Sequence, residues 1–238
     1  MIRLDKFLSE MGLGTRSEVK KLIKTGQIAI NGTVAAKPET KVDTDADEVS
    51  VNGRIVKYQR YEYYLFNKPS GCVSATSDNV HDTVMDYITD AVHDDLFPVG
   101  RLDIDTEGLL LITNDGALSH ELLSPSKHVA KTYYARIDGE VTGDDIIRFK
   151  EGIDIGEERP TKPAELVIKK SGSVSEIELT ITEGKFHQVK RMFEAVGKQV
   201  LFLKRLSMGT LQLDETLTPG SYRALTTEEL SALKNRTI

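Results

Sequence analysis

The chain has 238 residues, which suits one large domain or a small domain followed by a medium one. A formal net charge of −6 excludes an overall basic surface of the kind that binds nucleic acid indiscriminately. The single cysteine, Cys72, excludes an internal disulfide and is typical of a reducing compartment. No apolar run is long enough to span a bilayer and no leader pattern is visible, so we expect a soluble cytoplasmic protein.

The charge is distributed unevenly along the chain. Residues 1–60 contain eleven Lys and Arg against eight Asp and Glu, a balance of +3. The remaining residues contain twenty against twenty-nine, a balance of −9. A polyanion would therefore find a favourable surface only where basic residues cluster locally.

The first residues are predicted to form two short helices. Apolar residues at positions 4, 7, 8 and 11 have the spacing of one helix face, and Gly12 and Gly14 end that helix. Thr15 or Ser17 can cap a second helix, which Gly26 closes.

Two hairpins are predicted to follow these helices. Ile-Ala-Ile at residues 28–30 indicates a strand, and Asn-Gly at 31–32 indicates a tight turn. The alternating segment at 49–56 contains a second Asn-Gly pair and indicates a second hairpin. This α-α-β unit ends near a polar stretch, and we place the domain boundary between residues 1–59 and residues 60–238.

The second domain is predicted to mix helices and strands without a strict β-α-β rhythm. Strands are expected at residues 63–67, 109–113, 131–138, 164–168, 176–182 and 200–206. Helices are expected at residues 118–123, 142–150, 186–196 and 227–234. This order predicts an α+β fold around a mixed, largely antiparallel sheet.

A polar loop at residues 98–108 leads into an apolar strand and carries three acids within five positions. These are Asp103, Asp105 and Glu107. Loops that a rigid sheet holds in place often carry catalytic groups. The spacing alone leaves open whether these acids are catalytic or serve only turn formation and solubility.

The first fifty residues resemble the S4 RNA-binding domain. The resemblance rests on Arg-Leu-Asp-Lys-Phe-Leu at residues 3–8 and on residues 15–32, where helix and Asn-Gly hairpin follow in order. It implies RNA contact by basic residues along the second helix, namely Arg16, Lys20, Lys21 and Lys24. Such a stripe contacts phosphates without reading base identity, and a merely solvated helix face is the alternative.

Gly-Arg-Leu-Asp at residues 100–103, followed by Asp-Thr-Glu-Gly-Leu at 105–109, resembles a signature of pseudouridine synthases. The resemblance is to the type A enzyme for small-subunit ribosomal RNA and the type B, E and F enzymes for large-subunit ribosomal RNA. It implies that Asp103 is the catalytic residue and that the two acids after it shape the loop. Arg101, beside it, is expected to contact RNA.

Lys-Thr-Tyr at residues 131–133 resembles the Lys-x-Tyr motif of the same family. The resemblance implies that Tyr133 is the active-site tyrosine. Tyr134 would then point to the opposite face of the strand, because side chains alternate. An ordinary core or surface aromatic is the alternative interpretation of Tyr133.

The segment at residues 183–192 resembles the third family motif, which implies that Lys190 pairs with the catalytic aspartate. Many relatives carry arginine there; lysine still pairs with a carboxylate but lacks the bidentate fork. Arg191 is expected to face elsewhere or to contact RNA phosphate, and His187 to support the start of the helix. An amphipathic helix with exposed basic residues is the alternative for this segment.

Five segments resemble the small-subunit enzyme more than its large-subunit relatives, at residues 3–7, 67–69, 100–106, 161–164 and 187–193. This implies isomerisation of one uridine in small-subunit (16S) ribosomal RNA, of the uridine-516 type, after the base leaves its stack. An ionised Asp103 would be the nucleophile or stabilise sugar charge, favoured by Lys190, while Tyr133 stacks on uracil or relays a proton. No metal or organic cofactor is expected.

Three other functions are weighed against this one. The same chemistry on large-subunit ribosomal RNA remains open, and a non-catalytic ribosome-assembly factor would lack the aspartate, the tyrosine or the basic partner. A glycoside hydrolase would need two carboxyl groups about 5–10 Å apart and leaves the S4-like segment unexplained. The expected partner is ribosomal RNA, with ribosomal proteins where an assembly intermediate is the substrate, and we expect a monomer.

Overall fold

The computed structural model describes residues 1–235, and residues 236–238 lie outside the described part. The chain forms two compact units, the first made of Met1–Glu62 with Asp90–Asp95 and the second of Tyr63–Thr89 with the chain from Leu96 onward. The expected division of the chain into two folding domains between residues 59 and 60 remains a prediction. Within residues 1–235, no helix is both long enough and apolar enough to cross a membrane.

The first unit contains the two predicted helices, α1 (Leu4–Glu10) and α2 (Arg16–Lys24). Thr15 is the N-cap of α2: its side chain accepts a hydrogen bond from the Glu18 backbone amide, and the Glu18 carboxylate accepts one from the Thr15 amide. This reciprocal pair satisfies two backbone donors that a helix start otherwise leaves free. It resolves the choice between Thr15 and Ser17 in favour of Thr15.

The strands of the first unit are short. They are β1 (Ile2–Arg3), β2 (Ile28–Ile30), β3 (Thr33–Val34), β4 (Lys41–Val42), β5 (Val49–Val51) and β6 (Arg54–Val56). The antiparallel order β3-β2-β5-β6 forms one sheet, and β1 pairs with β4. Both predicted Asn-Gly turns are confirmed, with φ of 50° at Asn31 and Asn52 and positive φ at the glycines that follow.

Apolar faces of α1 and α2 meet the sheet in the core of the first unit. Leu4, Phe7 and Leu8 from α1 and Val19 and Ile23 from α2 are all at most 1 % exposed. The predicted apolar face of the first helix is therefore confirmed. Burial of this apolar surface stabilises a unit whose helices are too short to persist alone.

The second unit is built around one sheet. Its strands are β7 (Tyr63–Lys68), β8 (Phe97–Pro98), β9 (Glu107–Thr113), β10 (Lys131–Asp138), β11 (Glu165–Lys170), β12 (Val174–Ile181), β13 (Gln199–Met208), β14 (Leu211–Gln212) and β15 (Tyr222–Ala224). Along it the order is β11-β12-β10-β13-β9-β7-β15, with β14 beside β13 and β8 beside β9. In the described part of the chain the β13–β9 pair is parallel and the other pairs of this sheet are antiparallel. The predicted α+β class with a mixed, largely antiparallel sheet is confirmed.

Helices flank this sheet where the sequence predicts them, but the first and the third of them differ in length from the prediction. They are α3 (Gly116–Leu123), α4 (Gly143–Glu151), α5 (Gln188–Glu194) and α6 (Thr227–Lys234). The prediction of a helix over residues 186–196 is wrong at both ends. His187 adopts a left-handed φ of 48°, which a right-handed helix does not accommodate, so α5 begins only after it.

Gly108 lets β9 lie directly beside β13. Its backbone has a φ of +98°, and a Cβ added there would lie 2.3 Å from the carbonyl oxygen of Arg205. Gly108 and Arg205 are register partners in the parallel pair. The glycine is therefore required both by its backbone conformation and by the close approach of the two chains.

Candidate active site

Lys68 holds the polar loop that precedes β9 in place through hydrogen bonds. This lysine ends β7 and is fully buried, and its Nζ donates hydrogen bonds to the carbonyl oxygens of Ile104 at 3.2 Å and Thr106 at 3.0 Å. A third bond goes to the carbonyl of Pro69 at 3.0 Å. Burial lowers the pKa of the Lys68 amine. One buried donor thus fixes the backbone on both sides of Asp105.

Hydrogen bonds from the segment after β7 complete the support of this loop. The Ser74 hydroxyl exchanges hydrogen bonds with the amide and the carbonyl of Leu102, at 3.1 and 3.0 Å. The Gly71 amide donates to the carbonyl of Ile104 at 2.8 Å, and the Thr106 amide donates to the carbonyl of Asp103 at 3.1 Å. The backbone that carries Asp103 is therefore fixed on both sides, as a preorganised catalytic group requires.

Lys190, on α5, lies between two aspartates of this loop. Its Nζ is 3.1 Å from Oδ2 of Asp103 and 2.6 Å from Oδ1 of Asp105. Burial opposes the charge of Lys190, but the hydrogen bonds to Asp105 and Asp103 outweigh it and raise the pKa of the lysine. Burial also opposes the charge of Asp105, and its hydrogen bond to Lys190 outweighs burial and lowers the pKa of that carboxyl.

These shifts keep the Lys190–Asp105 pair charged across the ordinary pH range. The pKa of Asp105 is depressed from 3.8, so its contribution to stability is present above that value and is lost as the pH falls through the folded-state pKa. The pKa of Lys190 is raised from 10.5, so its contribution is present below that value and is lost as the pH rises through the folded-state pKa. Asp103 therefore lies beside a lysine that stays positively charged across this pH range.

His187 lies on the other side of Asp103. Its Nε2 is 3.5 Å from Oδ1 of Asp103, and its ring stacks on that of Phe186 with centroids 3.8 Å apart. His187 is the N-cap residue of α5, as expected: its backbone carbonyl accepts a hydrogen bond from the Arg191 amide at 3.0 Å, while its side chain makes no capping hydrogen bond. The left-handed backbone turns this ring toward the carboxylate instead.

Tyr133 lies on β10 and is 8 % exposed, and it is the register partner of Arg205 on β13. Tyr134 is less buried and donates a hydrogen bond to Glu176, so the predicted alternation of the two tyrosines is confirmed. Arg205 is 2 % exposed and its Nε donates to the carbonyl of Leu109 at 2.7 Å. Its Nη2 has no hydrogen-bond partner within residues 1–235.

These groups line one open cleft of about 970 Å³ in the second unit. Asp103, Tyr133 and Lys190 lie in it together, and Arg101 and Phe186 line it as well. A volume of this size accommodates a nucleotide. A carboxylate beside a lysine, with a tyrosine in the same cavity, can serve as a nucleophile with a charge partner and a group able to relay protons.

Other predicted RNA-binding residues lie outside this cleft. Arg191 belongs to α5, but its guanidinium is 2.8 Å from Glu157 and also donates to the carbonyls of Phe186 and Ile155. The basic side chains of α2 belong to the first unit and are exposed, namely Arg16, Lys20, Lys21 and Lys24. Their contact with RNA remains a prediction, as does that of Arg191.

The motifs do not account for three side chains in or beneath the cleft. Asp105, expected to shape the loop, contacts Lys190 more closely than Asp103 does. Lys68 ends the mostly apolar strand β7 beside the buried Asn67, and a lysine in such a strand is a signal for a buried hydrogen-bond donor. Arg205 lies near the end of a long strand, and no local pattern distinguishes it from an exposed basic residue.

Comparison with known proteins adds family membership to this geometry. Residues 62–195 match the family described as RNA pseudouridylate synthase, and residues 2–49 match the S4 domain. An uncharacterized RNA pseudouridine synthase of Bacillus subtilis is 49 % identical over 234 residues, which cover 98 % of each chain. The ribosomal small subunit pseudouridine synthase A of Escherichia coli is 36 % identical over 98 % of this chain and 100 % of its own.

A solved structure agrees with these sequence matches. A crystal structure of a pseudouridylate synthase is 37 % identical and superposes with a TM-score of 0.69 over 98 % of this chain and 100 % of that one. The identity and the coverage together exceed what a shared fold alone would give. With its S4 domain and its pseudouridylate synthase domain, the chain therefore belongs to the RNA pseudouridine synthase family.

Proposed function

We propose that the chain converts a specific uridine of small-subunit ribosomal RNA to pseudouridine, with Asp103 as the catalytic carboxylate. The observation that carries the proposal is the contact of Asp103 with Lys190 inside a nucleotide-sized cleft that also holds Tyr133. Neither an isolated carboxylate nor a surface ion pair would combine charge, cavity and aromatic ring in this way.

The reaction is an isomerisation of the nucleotide. The uridine leaves the RNA stack and enters the cleft, because its C1′–N1 bond is inaccessible in a helix. That bond breaks while Asp103 attacks the nucleotide or stabilises charge on the sugar. The freed uracil turns, C1′ bonds to C5 and any bond formed to Asp103 breaks, the C5 proton leaves and N1 gains a proton. Atoms and electrons balance without an electron carrier.

Lys190 and Tyr133 support this chemistry in different ways. Lys190 places a positive charge 3.1 Å from the Asp103 carboxylate and holds that carboxylate in place. Tyr133 is buried and lines the cleft, where its ring can stack on uracil and its hydroxyl can relay the proton. Arg101 is exposed at the cleft and suits a phosphate of the same RNA.

The choice of substrate rests on relatives over nearly the full chain. Ribosomal small subunit pseudouridine synthase A of Haemophilus influenzae is 39 % identical over 235 residues, and that of Escherichia coli is 36 % identical. We infer a small-subunit site of the uridine-516 type, modified in RNA that carries early assembly proteins. The S4 domain supplies additional phosphate contacts through α2. A ribosomal RNA substrate implies action in the cytoplasm.

The test is to incubate the purified protein with small-subunit ribosomal RNA, free and bound to early assembly proteins, and to map pseudouridine by carbodiimide-blocked primer extension. We expect one new site with the wild type and none with Asp103→Asn. The Asp105→Asn variant is the matched control, since it removes a carboxylate from the same lysine and should leave the modification intact.

The outcomes separate the alternatives. A new site on large-subunit RNA alone would keep the chemistry and contradict the substrate. Retention of full activity by Asp103→Asn would contradict the catalytic assignment. Absence of pseudouridine in both RNAs, with RNA binding intact, would favour an assembly factor over an enzyme.

A further inference from the structure

An exposed aromatic ring stands at the opening of the cleft. Phe186 is 69 % exposed, although it lies between the ordered strand β12 and helix α5. It lines the same cavity as Asp103. An exposed phenyl ring contributes little to folding, so its position beside a substrate cavity points to a ligand rather than to the core.

The ring is already part of a stack. Phe186 lies on His187 with an interplanar angle of 18° and a centroid distance of 3.8 Å, and His187 lies 3.5 Å from Asp103. The two rings therefore connect the carboxylate to the edge of the cleft. A further flat ring would extend this stack by one layer on the exposed side of Phe186.

The backbone beneath Phe186 is fixed. Its carbonyl accepts a hydrogen bond from Arg191 at 3.1 Å, and Arg191 is held in turn by Glu157. On the preceding residue, the Lys185 amide donates to the buried side chain of Gln188 at 2.9 Å. A ring on such a support can accept a base without paying much ordering entropy.

The surroundings of the ring match nucleic acid better than an apolar partner. Arg101 is exposed and lines the same cavity as Phe186, so a positive charge accompanies the ring. Lys185 lines the cavity too, with its ammonium 3.4 Å from Glu157. Basic side chains combined with an aromatic platform form the usual binding surface for single-stranded nucleic acid. Moving one uridine into the cleft also separates it from the neighbouring base, which loses a stacking partner.

We propose that Phe186 is a base-stacking residue for the nucleotide next to the target uridine. The neighbouring base lies on the exposed face of Phe186 and continues the Phe186–His187 stack out of the cleft. The inference rests on the proposed function, because it presupposes that a uridine enters the cleft. It assigns Phe186 to RNA positioning and leaves the bond-breaking step to Asp103.

The test uses RNA fragments that carry the uridine modified by the wild type. Three fragments are compared: one intact, one with an abasic residue on the 5′ side of the target, and one with an abasic residue on the 3′ side. Each is assayed for kcat and KM with the wild type, Phe186→Ala, Phe186→Leu and Phe186→Tyr. Ile147→Ala is the matched control, since Ile147 is 57 % exposed on α4 and lies outside the cleft.

On intact RNA we expect Phe186→Ala to raise KM about tenfold or more, since stacking of one base on an aromatic ring has an effect of this order. The kcat should stay within about twofold of the wild type. Phe186→Tyr should behave as the wild type and Phe186→Leu should lie between the two. On one of the two abasic RNAs the effect of Phe186→Ala should disappear, because the stacking base is already gone.

Two outcomes would overturn the inference. One is a Phe186→Ala effect on KM that remains as large on both abasic RNAs as it is on intact RNA. The other is a loss in kcat with KM unchanged, which would mean that the ring acts on Asp103 through His187. If the wild type forms no pseudouridine, the proposed function fails, and Kd values of the wild type and Phe186→Ala for single-stranded RNA with and without an abasic residue decide whether Phe186 stacks on a base.

Discussion

The cleft around Asp103 and the basic face of α2 are built on opposite principles. In the cleft, groups far apart in the chain converge: Lys190 is 85 positions from Asp105, and Lys68 is 38 positions from Thr106. On α2 the basic residues are neighbours in sequence, and all four are exposed.

The difference follows from what each region must do. Bond breaking requires groups placed within a few tenths of an ångström, which a folded sheet provides through long-range contacts. Attraction of phosphates acts over several ångström through water and needs only a local density of charge. Substitutions in the cleft should therefore have large effects that depend on one another, whereas substitutions on α2 should have small, additive effects that depend on salt.

The largest effect is expected at Asp103. Asp103→Asn should lower kcat by about four orders of magnitude, as loss of a central catalytic carboxylate does elsewhere, while the Kd for RNA changes less than about twofold. Single-turnover pseudouridine formation and filter binding measure the two quantities. Asp105→Asn should cost about tenfold or less. Equal losses for the two variants would contradict the assignment of a single catalytic carboxylate.

A smaller loss is expected at Lys190. Lys190→Met leaves Asp103 without its nearby positive charge and should lower kcat by about 10²-fold to 10³-fold. Lys190→Arg keeps the charge and can bind a carboxylate with two donors, so it should retain activity within about tenfold. Single-turnover kinetics for the two variants measure this difference. If Lys190→Met were as active as Lys190→Arg, the charge would have no part in the reaction.

Gly108 tests the sheet that holds the cleft together. Gly108→Ala forces a Cβ to within 2.3 Å of the Arg205 carbonyl, whereas Gly71→Ala has nearly the same φ, +97° against +98°, with nothing within 4 Å. The backbone strain is thus matched, and the clash should lower the free energy of unfolding by at least about 2 kcal/mol more in Gly108→Ala. Denaturant unfolding of the two variants measures this difference. Equal free energies of unfolding would show that β9 and β13 can move apart with little loss of stability.

The smallest effects are expected on α2. Lys20→Ala and Lys24→Ala should each weaken RNA binding by about twofold to fivefold and reduce the slope of log Kd against log salt by about 1, with kcat unchanged. Lys150→Ala, which removes an exposed lysine from α4, is the control. Salt titrations of RNA binding compare the three variants. Identical slopes for wild type and both α2 variants would make this face a solvated surface only.

Local rules account for the parts of the fold that the sequence could predict. The capping box at Thr15 and the two Asn-Gly turns involve residues at most three positions apart, so their patterns are visible in the chain. Six strand positions in the second unit were predictable from apolar runs, whereas the short strands β8, β14 and β15 were not. The parallel pairing of β9 with β13 was not predictable, because the sequence of neither strand indicates which strand it pairs with.

The candidate active site also has parts that the sequence predicts and parts that it does not. Family motifs identify Asp103, Tyr133 and Lys190, and the structure places all three in one cleft. The hold of Lys68 on the loop and the left-handed turn at His187 depend on packing that sequence spacing does not encode. Exposure of Phe186 was also unpredictable, because the amphipathic pattern assigns that residue to a helix that starts only after it.

The central position of β13 sets a condition on synthesis of the protein. All three motifs of the active site precede residue 193, yet β13 (Gln199–Met208) is the strand that joins β10 to β9. Until it has left the ribosomal exit tunnel, the aspartate loop and the tyrosine strand have no shared sheet. We expect a nascent chain that ends just after its last motif to be inactive, although it would carry all the residues proposed for catalysis.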